Sequence, residues 1–123
     1  MKPEFSPGRN IAMKIPAHEY HQTVLFYRDV LGFEALAGPA SSSTETTRFQ
    51  FGDKVLWIDR VEALSQAEVW LEVVADDVKA AAAWLERHGC ARRDEIEALP
   101  DGLAGFWVSS PANIIHLVTS GSR

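Results

Sequence analysis

The stretch EYHQTVLFYRDVLG (residues 19–32) decides the fold. Tyr20, Val24, Tyr27 and Leu31 recur at spacings of four, three and four, which puts them on one helical face, and Gly32 supplies a left-handed stop. The pattern predicts a helix over residues 19–31. Upstream, NIAMKI (10–15) reads as a strand that Pro16 ends. Downstream come FEALA (33–37), a polar turn over residues 41–44, TTRFQF (46–51) and KVLWID (54–59), the last two joined by a tight hairpin turn at Gly52 and Asp53. The order is strand, helix, three strands.

The rest of the chain follows the same plan. VWLEVVA (69–75) is a strand, Asp76 or Asp77 caps a helix that turns Val78, Ala81, Ala82 and Leu85 inward, and Gly89 closes it as Gly32 closes the first. EIEAL (95–99), a turn around Pro100 to Gly102, GFWVS (105–109), a turn at Ser110 and Pro111, and NIIHLV (113–118) complete the half. The two glycine stops are offset by about the same distance as the two final strands, so the chain reads as an internal repeat. The expected organisation is a single domain over residues 1–123, with one module at about 8–60 and another at about 66–120.

Composition narrows the function classes. The 123 residues are 46% hydrophobic and 24% charged, an ordinary globular balance, and no apolar run approaches the roughly 18 residues that span a bilayer. No basic segment followed by an apolar stretch opens the chain, so a cytoplasmic protein without a membrane partner is expected. A net charge of −5 with no Lys/Arg cluster argues against nucleic acid as a partner. The single cysteine, Cys90, can form no internal disulfide and reads as a small core filler.

The segments FYRDVLGFEAL (26–36), ADDVKAAAAWLERHGC (75–90) and GFWVSSPANIIHLV (105–118) resemble the vicinal oxygen chelate superfamily, which includes glyoxalases, bleomycin-resistance proteins and extradiol dioxygenases. The resemblance covers nearly the whole chain, and FYRDVLGF is its most specific piece. SSPAN departs from the Asp-Pro-x-Gly-Asn that usually precedes the final strand. The resemblance implies an α+β fold of two βαβββ modules, whose mixed sheet forms a cup with helices on the convex side and the ligand on the concave side.

In metal-dependent members the ligands come from the first and last strands of each module. Carried over by position, those places fall on Asn10, Trp57, Trp70 and His116. Only His116 is a good donor, because an indole offers no available lone pair and a catalytic divalent ion needs about three His, Glu, Asp or Cys donors. No metal and no cofactor are therefore expected.

Strand alternation then assigns faces. With Trp70 turned into the cup, Glu72 and Val74 follow it; Ile114, His116 and Val118 form one group, and Val55, Trp57 and Asp59 another. Phe49 and Phe51 suit the helix side, which leaves Arg48 and Gln50 in the cup. Asn10, Arg48, Gln50, Trp57 and Trp70 are the candidate ligand-binding residues, and His116 beside Glu72 is the candidate general base. His18-Glu19-Tyr20-His21 lacks the i, i+4 spacing of a zinc-protease motif, so both histidines read as surface residues. The run SSSTETT reads as a polar loop, or a lid over the cup mouth.

Three functions compete at this stage. The first is a metal-free protein of the bleomycin-resistance kind that binds a small aromatic or cationic molecule by stacking on Trp57 and Trp70. The second is a lyase, isomerase or dioxygenase-like enzyme using His116, metal-independent unless the ligand positions are misaligned. An interaction module is the third, and in any of these roles a homodimer is the expected assembly.

Overall fold

The computed structural model describes residues 2–37, 45–99 and 101–121. The polar run at 41–44, with any lid it would make, and Pro100 lie outside them. The chain divides into two compact units, Arg9–Val69 and Met1–Gly8 together with Trp70–Arg123. Each alternates strand and helix, and in each the strands form a mixed parallel and antiparallel sheet.

The first unit contains most of β1 (Phe5–Pro16), helix α1 (Ala17–Leu25), one π-helical turn (Phe26–Val30), β2 (Ala35–Leu36), β3 (Thr46–Phe51) and β4 (Lys54–Val61). The strand order is β2-β3-β4-β1, with β3 antiparallel and β1 parallel to β4. Ile15, Tyr20, Val24, Phe49, Leu56 and Ile58 make the core between α1 and the sheet. The predicted helix forms, but its last turn widens: the Leu31 N–H reaches back to the Phe26 carbonyl at 2.9 Å, five residues earlier. The extra residue rotates Leu31 off the face that a 3.6-residue period assigns it, and it stands 45% exposed. Gly32, at φ +74°, then turns the chain. The Tyr20 hydroxyl lies 2.7 Å from Thr47 Oγ1, and burial pushes its pKa above the usual tyrosine value against the opposing pull of that hydrogen bond.

The second unit holds β5 (Glu68–Ala75), helix α2 (Val78–Arg87), β6 (Gly105–Ser109) and β7 (Ile115–Thr119) in the order β5-β7-β6, with the start of β1 beside β5. Of the two candidate caps, Asp77 is the one used, accepting the Ala80 N–H at 3.0 Å. Ala75, Ala81, Phe106, Val108 and Val118 pack between α2 and the sheet, with Cys90 among the partly buried side chains against them.

Two expectations fail here. EIEAL (95–99) is not a strand, because the edge of β6 is already taken. The Ser109 N–H donates to Ala91 O at 3.0 Å, Arg93 N–H to Trp107 O at 2.8 Å, and the Trp107 N–H to the carboxylate of Asp94 at 3.0 Å. With those groups satisfied by residues 91–94, the following segment leaves the ladder and lays Ile96, Leu99 and Leu103 against Trp70, Trp107, Ile115 and Leu117. The final strand also begins two residues late, since Asn113 adopts φ +62° in a turn where its N–H bonds Ser110 O at 2.8 Å.

Candidate functional site

In the first unit, register fixes the residues on the sheet face away from α1. Asn10 pairs with Val55, Ala12 with Trp57, and Lys14 with Asp59. From the other side Arg48 pairs with Trp57, and Thr46 with Asp59. The Trp57 indole N–H donates to Asn10 Oδ1 at 2.6 Å, which spends the amide oxygen and fixes the ring. Arg48 sets its guanidinium carbon 5.1 Å from the centre of that ring and donates to the Ala37 carbonyl, while its Nε is buried with no acceptor among the described residues. Gln50, expected on this face as a ligand contact, is exposed, and its amide donates to Gly52 O at 2.6 Å to close the hairpin.

Beside this group lies an ion pair that the sequence reading missed. Lys14 Nζ is 2.7 Å from Asp59 Oδ2 with side-chain exposures of 4% and 13%, and Thr46 donates to the other carboxylate oxygen. The signal was present: the alternation that turns Asn10 to this face carries Lys14 with it.

In the second unit, the face away from α2 holds Trp70 and Glu72 on β5, Trp107 on β6, and Ile115 and Leu117 on β7. The indoles of Trp70 and Trp107 meet edge to face with centroids 5.2 Å apart. Trp107 was not among the expected site residues, although the strand GFWVS that carries it forms as expected.

His116 is on the other face. β5 and β7 run parallel with Leu71 opposite His116 and Glu72 opposite Leu117, so His116 shares the side of Val118, which packs under α2. Its Nδ1 lies 3.0 Å from Ile114 O. The structure therefore does not bring His116 and Glu72 together as base and partner. The grouping of His116 with Val118 holds, but NIIHLV is apolar on both faces and only the register against β5 shows which of them faces α2.

Glu72 itself is buried at 8% exposure, and Gly8 of β1 gives it room. A Cβ on Gly8 would lie 2.4 Å from Glu72 Cγ and 2.6 Å from its Cβ, near the rigid root of the side chain. Gly8→Ala should cost about 1–3 kcal/mol of stability by overpacking. The loss should shrink in a Glu72→Ala background, as read from urea unfolding of the four proteins; equal losses in both backgrounds would contradict this packing.

The residues at the places where the resemblance puts metal ligands do not fit a metal. Asn10 is engaged by an indole, Trp57 and Trp70 have no lone pair to give, and His116 projects from the opposite face of its sheet. Among the described residues no group of three or more His, Cys, Asp and Glu side chains is placed to hold an ion. His18 and His21 are exposed on α1, with Tyr20 between them turned into the core.

Solved structures share this fold. A variant of homoprotocatechuate 2,3-dioxygenase from Brevibacterium fuscum superposes with a TM-score of 0.65 at 16% identity, over 98% of this chain and 34% of that one. Its counterpart from Arthrobacter globiformis gives 0.62 at 18% identity, over 98% and 38%. A hypothetical protein from Bacillus halodurans C-125 gives 0.64 at 9% identity, over 94% of both chains. The chain thus spans about a third of the length of the dioxygenases it matches. No family model and no curated protein matches the sequence.

Proposed function

We propose that the chain is a member of the vicinal oxygen chelate superfamily that binds a small aromatic molecule on indole-bearing sheet faces and uses no metal to do so. The observation that carries this reading is the Trp57 indole, fixed by Asn10 on the face away from the helix, at a place where the resemblance puts a metal donor. The fold shared with aromatic-ring-cleaving dioxygenases supports an aromatic ligand as the class, without supporting their reaction. A cationic ligand loses ground at Trp57, because Arg48 already lies over that ring and would repel a second positive charge. The orphaned Nε of Arg48 favours instead an aromatic compound that also brings an acceptor. The catalytic alternative built on His116 and Glu72 has no geometric support, since the two stand on opposite faces of one sheet.

The test is a ligand-observed NMR screen of aromatic fragments against the parent protein and Trp57→Ala. Loss of a stacked indole should weaken the fragments that bind there by about tenfold, the scale of one aromatic contact with its buried area. Fragment affinities that are all unchanged by Trp57→Ala would overturn the assignment of this face.

A further inference from the structure

Several arginines of this chain are matched to carboxylates. Arg28 meets Asp29, Arg60 meets Glu45 and Glu62, Arg92 meets Asp94, and Arg93 meets Glu95. Arg48 is not matched in this way. Among the described residues its guanidinium holds the Ala37 carbonyl and lies 5.1 Å from the centre of the Trp57 ring, while its Nε is buried without an acceptor. A carbonyl and a ring face carry no formal charge, so the cation stands uncompensated on a half-buried side chain.

The register explains why the sheet itself does not answer it. Arg48 is opposite Trp57, and the next pair along the same face is Thr46 with Asp59. The carboxylate of Asp59 is already engaged, by Lys14 at 2.7 Å on one oxygen and by Thr46 on the other. Glu34 is exposed and sits opposite Gln50, toward the hairpin end of β3. The β1, β3 and β4 side chains of this face thus set Lys14 and Arg48 against Asp59, a positive excess in a chain whose net charge is −5. Such a local excess favours an anionic group brought from outside.

We infer that Arg48 anchors a carboxylate of the bound molecule, which makes the ligand an aromatic carboxylic acid with its ring against Trp57; this rests on the small-molecule reading above and adds the charge of the ligand to it. The planar guanidinium can give a carboxylate two parallel N–H bonds, and the orphaned Nε is a donor for one of them. Arg48 and Trp57 share a rung, so one small molecule spans both. The indole is held in place for it, because its N–H is tied to Asn10 Oδ1 at 2.6 Å. A phosphate ester shares the anionic chemistry, but its charge of about −1.5 to −2 exceeds what one uncompensated guanidinium offsets.

The probes are 2-naphthoate, its neutral isostere 2-naphthamide, and 2-naphthyl phosphate, titrated by isothermal calorimetry at one ionic strength. The parent should bind 2-naphthoate about ten- to hundredfold more tightly than 2-naphthamide, the range of hydrogen bonds to a charged group. Arg48→Gln, which removes the charge, should bring that ratio to about one, and Arg48→Lys, which keeps the charge without the fork, should retain part of it. Equal binding of the acid and the amide by the parent, or a preference that survives Arg48→Gln, overturns the carboxylate anchor. Tighter binding of 2-naphthyl phosphate than of 2-naphthoate overturns it in favour of a phosphate ester. Should Arg48→Gln fail to fold cooperatively, the three probes on the parent still decide. Failure of 2-naphthoate to bind the parent also removes the anchor, whereas the broader reading falls only if the fragments are indifferent to Trp57→Ala.

Discussion

Asp59→Leu should lower the free energy of unfolding by about 3–5 kcal/mol, because it removes a carboxylate 2.7 Å from the Lys14 ammonium in a site only 3% exposed. Asp59 accepts from Lys14 on one oxygen and from Thr46 on the other, so one substitution undoes two contacts. The double variant Lys14→Met/Asp59→Leu should recover most of the loss, since a well-packed apolar pair carries no charge to desolvate. Urea unfolding of the parent, the single and the double variants closes the cycle. A drop of less than about 1 kcal/mol in the single variant, the range of solvent-exposed pairs, would mean that water reaches Lys14 in solution.

Phe49→Ala is expected to cost about as much, roughly 3–5 kcal/mol, for a different reason. Its ring is fully buried, sits 6.0 Å from that of Tyr27, and shares a rung of the sheet with Leu56. Truncation would open a cavity lined by α1 and two strands that cannot collapse without breaking the sheet. Thermal unfolding should show the drop, and Phe49→Leu should recover a large part of it. A loss confined to a few tenths of a kcal/mol would place Phe49 outside the core.

Much of the fold was legible because its signals are local. The helix faces of EYHQTVLFYRDVLG and VKAAAAWLER, the glycine stops and the Gly52 hairpin each follow from spacing and backbone preference within a dozen residues. What was not legible depends on partners far along the chain. Whether 95–99 pairs with β6 turns on residues 91–94 reaching that edge first, and Asp94 adds a side-chain acceptor that no periodicity reveals. The face of His116 turns on its register opposite Leu71 of β5, in a strand apolar on both sides. Among the site residues, Asn10, Arg48, Trp57, Trp70 and Glu72 fall on the faces that alternation assigned; Gln50 is spent on its own hairpin. Lys14 shares the parity of Asn10, but only the register with Asp59 turns it into a buried partner.

The Lys14–Asp59 contact also carries a consequence for how the chain finds its pairing. β1 and β4 are parallel and hydrogen-bond evenly along their length, so the backbone alone discriminates poorly between alignments. Sliding β1 by one position would bring Asp59 against Met13 or Ile15 and set the ammonium beside Ile58 or Arg60, separating two buried charges that pair in the native register. The pair thus acts as a checksum on strand alignment, and a chain carrying aliphatic side chains at both positions would trade that proofreading for a population of near-miss alignments during refolding.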